Sequence, residues 1–155
     1  MTTLNKIGHI IQSSKIIRGR FYEEAILDVL STQYEVHTDL KAWDFYLPEL
    51  DLFIDSKSKG FNNNTPIPDF INKYRTSSQG LFLINNNVMT WPKRKIEEQG
   101  NFSVELADEF LSSLLGMKVD IESMVNDKYI KQVKAKGKEM LSSKEYKIFK
   151  ELINE

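Results

Sequence analysis

Asp55, Ser56 and Lys57 stand together in Asp51-Leu52-Phe53-Ile54-Asp55-Ser56-Lys57, a stretch whose apolar content predicts a strand. Residues two apart in a strand share a face. Leu52 and Ile54 then point one way, and Phe53, Asp55 and Lys57 the other. Charged groups are seldom buried unless paired or ligating, so an acid and a base side by side on such a strand need partners. Asp44 lies in the preceding segment, where Tyr34, Val36, Leu40, Trp43, Phe45 and Tyr46 also predict strand. Leu47-Pro48-Glu49-Leu50 breaks it, because Pro48 fixes φ and lacks a donor. The two strands predict a hairpin that brings the Asp44 carboxylate alongside Asp55. Two close carboxylates repel, and a divalent cation between them relieves the repulsion. Such a cation could bind a phosphate oxygen and activate a water, with Lys57 placed to orient that water or stabilise developing charge. The plain alternative is that Asp55 and Lys57 form an ordinary cross-strand or edge-strand ion pair.

Composition narrows the chemistry. The chain has no cysteine, which excludes a disulfide scaffold, a thiol nucleophile and cysteine-ligated zinc. Two histidines, His9 and His37, cannot build a histidine-rich centre and read as surface or packing residues. A metal here is held mainly by oxygens, which favours Mg²⁺ or Mn²⁺. No G-x-S-x-G, P-loop or G-x-G-x-x-G is present, so serine hydrolase, nucleotide hydrolysis and dinucleotide chemistry lack support. At 155 residues and 41% hydrophobic, the chain can bury the core of one domain. No run approaches the ~18 apolar residues that span a bilayer, and Met1-Thr2-Thr3-Leu4-Asn5-Lys6 does not read as a signal peptide. The expectation is an intracellular, cytoplasmic protein away from membranes.

Net charge is −1, so this is not a strongly basic nucleic-acid coat. Lysine is nevertheless concentrated near the end, at Lys128, Lys131, Lys134, Lys136, Lys138, Lys144, Lys147 and Lys150, against Glu139 and Glu145. That run reads either as a solvated helix face or as a phosphate-facing patch, with Lys131 and Lys134 as substrate-binding candidates.

The elements that must position the acids follow from periodicity. Residues 4–17 predict a short helix and 19–31 a firmer one, with Phe21, Ala25, Leu27 or Ile26, Val29 and Leu30 at helical spacing. After the hairpin, 60–68 predicts a loop and 69–75 a short helix. Gly80 to Ile84 predicts a buried strand, Asn85-Asn86-Asn87 a turn, and Val88 to Trp91 a further strand ended by Pro92. A helix is expected from Ser103 to a stop at Gly116, a polar helix over 120–141, and a last one after Ser142-Ser143-Lys144-Glu145. Trp43, Tyr46, Phe53, Phe82 and Trp91 read as core rather than base-stacking platforms. The order predicts one α/β or α+β domain over 1–155, with a mixed sheet of about four or five strands. Its core spans about 16–116 and a C-terminal helical extension about 117–155.

Asp44 followed by Asp55-Ser56-Lys57 resembles the active-site signature of the PD-(D/E)XK nucleases, the restriction-endonuclease-like superfamily. In that family an acid on one strand and a (D/E)-x-K triplet on its hairpin partner hold Mg²⁺. Members such as junction resolvases carry a glutamate on the first helix shortly after a glycine, and Gly19-Arg20-Phe21-Tyr22-Glu23 has that spacing. Glu24 points about 100° from Glu23 on a helix, which favours Glu23 alone. Family members often place a Lys, Arg or Gln on the helix after the triplet, where Lys73, Arg75 and Gln79 are the candidates. Trp43 stands where the family often has proline, and Asp55 where Glu is commoner. Asp39-Leu40-Lys41 also matches D-x-K but has no acid-bearing hairpin strand before it. The likeness covers about 16–91. It implies a restriction-endonuclease-like α/β core and a Mg²⁺- or Mn²⁺-dependent endonuclease. Glu23, Asp44 and Asp55 would hold the ion, and Lys57 would act on the attacking water. DNA is favoured over RNA as substrate, for a restriction-type, junction-resolving or phage-type nuclease. A homodimer is expected, because two cuts on a duplex need two sites. The alternative is a non-catalytic nucleic-acid- or protein-binding module with a degenerate nuclease-like fold.

Overall fold

Phe45–Leu47, Leu52–Lys57, Gln79–Ile84 and Phe102–Leu106 form four strands, β1 to β4, of which β3 is buried from Gly80 to Ile84 as expected of a strand covered on both faces. They form a mixed sheet in the order β1-β2-β3-β4. The computed structural model describes residues 15–62, 64–85, 88–140 and 147, with the side chains of its terminal helices described from Gly19 and as far as Lys131. Helix α1 (Lys15–Ser31) precedes β1, α2 (Ile67–Asn72) links β2 to β3, and α3 (Lys93–Glu97) links β3 to β4. Helices α4 (Ala107–Leu115) and α5 (Ile121–Met140) follow β4. The protein is thus an α/β chain with a four-stranded mixed sheet flanked by helices. Of the helix expected over 4–17, residues 4–14 lie outside the described residues, as does His9, and 15–17 run without a break into the rest of α1; of the last helix expected, after Ser142-Ser143-Lys144-Glu145, only 147 is described.

β1 pairs antiparallel with β2 through Phe45↔Ile54 and Leu47↔Leu52, with a 3₁₀ turn at Pro48–Leu50 between them. The expected hairpin is therefore present. β2–β3 and β3–β4 are parallel, and each needs a helical crossover because no tight turn can join parallel strands. The register Asp55↔Phe82 and Phe82↔Val104 places Phe53, Asp55, Lys57, Phe82 and Val104 on one face. Ile71 of α2 and Ile96 of α3 are wholly buried in the cluster on that face, along with Trp43, Tyr74 and Trp91. Phe45, Leu47, Ile54, Leu81 and Leu83 are buried on the other face, and α4 lies against β3 and β4. On α1 the buried residues Ala25, Ile26, Val29 and Leu30 recur at i, i+1, i+4 and i+5, the spacing of a single helical stripe.

Three expectations are corrected. The first strand shrinks to three residues, preceded by a single bridge between His37 and Tyr46. Trp43 and Phe45 would share a face in a continuous strand. Instead Phe45 pairs with Ile54, while the Trp43 ring lies 5.1 Å from Phe82 on the opposite face, so the strand breaks at Asp44. Val88 to Trp91 is not a strand. Val88 is 63% exposed, and the Trp91 indole N–H donates to the Lys59 carbonyl at 2.9 Å rather than the segment joining a ladder. Ser103 does not start a helix. Phe102–Leu106 is a strand, with Phe102 and Val104 buried at period two, and the helix begins at Ala107. Gly116 does stop that helix, in the left-handed region at φ 67°.

Beside β4, the Lys93 ammonium donates to the Val104 carbonyl at 2.6 Å, and the Val104 N–H donates to Glu97 Oε2 at 3.3 Å. Both side chains belong to α3.

Among the described residues the chain forms two compact units, Tyr22–Ile121, which holds the whole sheet, and a second that takes in 15–21 and 122–140. In the second, the buried Phe21 and Tyr129 rings meet edge to face at 5.7 Å.

Gly80 lies close against the Trp43 ring. A Cβ there would stand 2.5 Å and 2.6 Å from two atoms of the Trp43 ring. Gly80→Ala is expected to destabilise the protein by ~1–3 kcal/mol, the usual cost of overpacking a filled core. Urea unfolding monitored by the fluorescence of Trp43 and Trp91 checks this, and an unchanged midpoint refutes the fit described here.

Candidate active site

The break at Asp44 is what aims its side chain. Asp44 N–H still donates to the Ile54 carbonyl at 3.1 Å, which sets the residue across from Asp55. Its carboxyl then turns along β2, and Oδ2 accepts the Ser56 N–H at 2.8 Å. It also hydrogen-bonds with the carboxyls of Asp55 and of Glu23, which approaches from α1. Asp44, Asp55 and Glu23 thus meet, from a strand break, a buried strand and a helix.

Asp55 is only 3% exposed. Its Oδ2 receives the Lys57 ammonium at 2.8 Å and the Tyr74 hydroxyl at 3.2 Å. Lys57 also donates to the Tyr74 oxygen at 2.9 Å, which closes a triangle of acid, amine and phenol. Tyr74 is wholly buried, and its carbonyl accepts the Trp43 indole N–H at 3.1 Å. Behind the triplet, Asn85 at the end of β3 donates its N–H to the Lys57 carbonyl at 2.8 Å. The Asn85 side-chain amide donates to Ser56 Oγ at 2.6 Å.

Crowding of acids shows in their protonation. Burial, then the charge of Asp55, pushes the Asp44 carboxyl up to about 8, against the smaller opposing pull of the Ser56 N–H. Burial, then Asp55, also raises Glu23, partly offset by its hydrogen bond with Asp44 and by Lys57. For Lys57, burial pulls the amine down, but the Asp55 charge and the bonds to Asp55 and Tyr74 outweigh it. The result is an amine held above its ordinary range, as ammonium. Burial, then Asp55, raises the Tyr74 phenol, so it stays protonated and able to donate.

The donors fit a hard divalent cation. They are all carboxylate oxygens, and the proton that Asp44 keeps is one that a cation would displace. Among the described residues, no three His, Asp or Glu side chains stand in ligating geometry around one point. Side-chain rotation of the hydrogen-bonded carboxyls would have to complete such a site.

The structure brings together Glu23, Asp44, Asp55 and Lys57. Arg75 and Gln79 stand elsewhere. Arg75 donates to Asn72 Oδ1 at 3.4 Å and to the Gln99 carbonyl at 3.1 Å, near the starts of β3 and β4. Lys57 pairs with Ile84 at the far end of β3, roughly 16 Å along the strand. Gln79 pairs with Leu52, on the face opposite Asp55. Lys73 is exposed, with its ammonium 5.0 Å from the Tyr74 ring centre. Lys131 is exposed on α5, and the Lys134 side chain lies outside the described ones.

Tyr74 is the residue that sequence reasoning missed, although Lys73 and Arg75 on either side were candidates. The available signal was its place three residues after the apolar Ile71 in the helix expected over 69–75; the helix in fact ends at Asn72, and Tyr74 is turned inward just past it, its N–H donating to the Ile71 carbonyl at 2.8 Å. A buried phenol there must find a partner. In sequence Ser56 and Asn85 are only a strand and a loop position, and nothing in their types signals the contacts that Ser56 makes with Asp44 and with Asn85. No family model, curated protein or solved structure matches the chain.

Proposed function

We propose that the protein is a Mg²⁺- or Mn²⁺-dependent nuclease that hydrolyses phosphodiester bonds, with DNA the favoured substrate. One observation carries the reading: Asp44 at the strand break is set across from Asp55 on β2 beside the Lys57 ammonium, and Glu23 approaches both from α1. Such crowding is costly to maintain for stability alone, and it suits a cluster that receives a divalent cation. The helix, hairpin, helix, strand order, with the His37 bridge ahead of β1, supports a restriction-endonuclease-like core. Fold order alone does not give function, so the reading rests on the site.

Glu23, Asp44 and Asp55 would hold the cation. When bound, it supplies charge neutralisation at the phosphate and a more acidic water. Lys57 places a fixed positive charge beside Asp55, where charge builds on the phosphate oxygens. The Ser56 N–H holds Asp44 at one oxygen, and a cation would take the place of its hydrogen bonds with the Asp55 and Glu23 carboxyls. A homodimer would supply a second site for the second strand.

Incubation of supercoiled plasmid with the protein tests this. Nicked or linear product with Mg²⁺ or Mn²⁺, lost on adding chelator and in Asp55→Asn, is expected. DNA binding without cleavage under every divalent ion overturns the nuclease reading. It would favour the non-catalytic module instead, a reading that gains from the double engagement of Asp55 Oδ2 by Lys57 and Tyr74.

A further inference from the structure

We infer that Tyr74 is the positioning residue of Lys57: its hydroxyl fixes where the ammonium stands, through an oxygen held 2.9 Å from Nζ and 3.2 Å from Asp55 Oδ2. A lysine side chain has four rotatable carbons and loses much rotamer freedom when held in one place. The 2.8 Å ion pair with Asp55 alone leaves the amine free to swing around that oxygen. A second contact, from a group that cannot move, removes this freedom.

Tyr74 is such a group. Its ring is packed by Trp43 at 5.0 Å, Phe70 at 5.3 Å and Phe82 at 5.0 Å between centres. Its backbone is tied by the Trp43 indole at 3.1 Å. The phenol is 2% exposed, so water does not compete for its oxygen, whereas the Lys57 side chain is 27% exposed and reaches toward solvent. The hydroxyl donates its single proton to Asp55 and accepts from Lys57, which matches its inventory of one donor and two lone pairs. Each partner of the triangle therefore has one geometry that satisfies all three.

For its kinetic consequence this rests on the nuclease reading above, while the placement of Lys57 does not. Tyr74→Phe removes only the hydroxyl and keeps the ring packing. In plasmid cleavage at saturating Mg²⁺, kcat is expected to fall ~10–100-fold with KM for DNA unchanged, because positioning acts on the chemical step. Leu111→Ala is the control for lost stability, since it opens a cavity at a buried residue of α4 outside the cluster that packs the Tyr74 ring. It is expected to lower Tm and retain most of kcat.

The second readout needs no activity. Labelling with an amine-reactive acetylating reagent, quantified by peptide mass spectrometry, should modify Lys57 several-fold faster in Tyr74→Phe than in wild type, with Lys59 as internal reference. Unchanged Lys57 labelling together with wild-type kcat in Tyr74→Phe overturns the inference. A wild type inactive with every metal, but with faster Lys57 labelling in Tyr74→Phe, removes the nuclease reading and leaves the clamp standing.

Discussion

Lys57→Met should lower metal-supported cleavage by ~10²-fold or more, the usual scale for removing one group that stabilises transition-state charge. The divalent ion should bind at least as well, because the acids lose a competing cation. Stability should move too. Asp55 is buried, and without Lys57 it keeps only neutral hydrogen-bond partners. Breaking a buried pair by removing one partner costs roughly 3–5 kcal/mol, and the partial exposure of Lys57 places the expected loss at the low end, about 3. Added Mg²⁺ or Mn²⁺ should then raise the Tm of Lys57→Met more than that of wild type, because the ion replaces the missing positive charge. Calorimetry with and without metal, alongside cleavage rates, checks both halves. If Asp55 and Lys57 are only an ion pair, neither protein will respond to metal, and the destabilisation will stand alone.

The second large effect is on pH. Asp44 titrates at about 8 when folded and near 3.8 when unfolded. Between those values the folded state carries the extra proton, so unfolding releases it, and stability falls as pH rises. Glu23, also raised, adds to the same slope. Lys57 is raised from 10.5, so its contribution is present below that pH and is lost only above it, outside this window. The metal-free protein should therefore be more stable at pH 5 than at pH 8.5. The difference is about 2 kcal/mol once solvent screening at this half-buried cluster is discounted. Asp44→Asn should flatten the slope. With millimolar Mn²⁺ the slope should shrink or invert, because the ion competes with the proton and binds best where Asp44 is ionised. Melting curves across this pH range, with chelator and with metal, show whether the sign is right. A chelated wild type that gains stability toward pH 8.5 refutes the protonated cluster.

How much of this was legible in the residues differs by element. The hairpin, the buried strand at Gly80 to Ile84 and the opposition of Asp44 to Asp55 could be read from period-two patterns and one proline. Strand β4 could not, because Phe102 and Val104 run directly into the apolar face of α4. A period of two over five residues is then hidden by a period of 3.6 that follows it. Val88 to Trp91 failed the other way. Its residues have strand propensity, but tertiary contacts took the Trp91 side chain to the Lys59 carbonyl. At the site, sequence could name the charged residues, whose types announce chemistry. It could not name Tyr74, whose role comes from the 17-residue separation between Lys57 and the phenol that the β2-to-β3 crossover closes. Arg75 shows the same limit in reverse, since the helix expected over 69–75 ends at Asn72 and the turn beyond it sends the Arg75 side chain to the Gln99 carbonyl.

The pairing of α3 with β4 bears on how this chain meets copies of itself. An open sheet ends in two edges, each a template onto which another strand can add. At one edge, β1 is only three residues long and runs into Pro48, so it offers little to a newcomer. At the other, the outward N–H and C=O of Val104, in the middle of β4, are already taken by Glu97 and Lys93. A second chain would have to displace an ion-paired lysine and glutamate to begin its ladder there. Sheet extension is thus blocked at both ends by short, charged or proline-bearing elements. Association of two copies is left to helix and loop surfaces, and the two parallel strand pairs, which form slowly, are shielded from templating aggregates once they close.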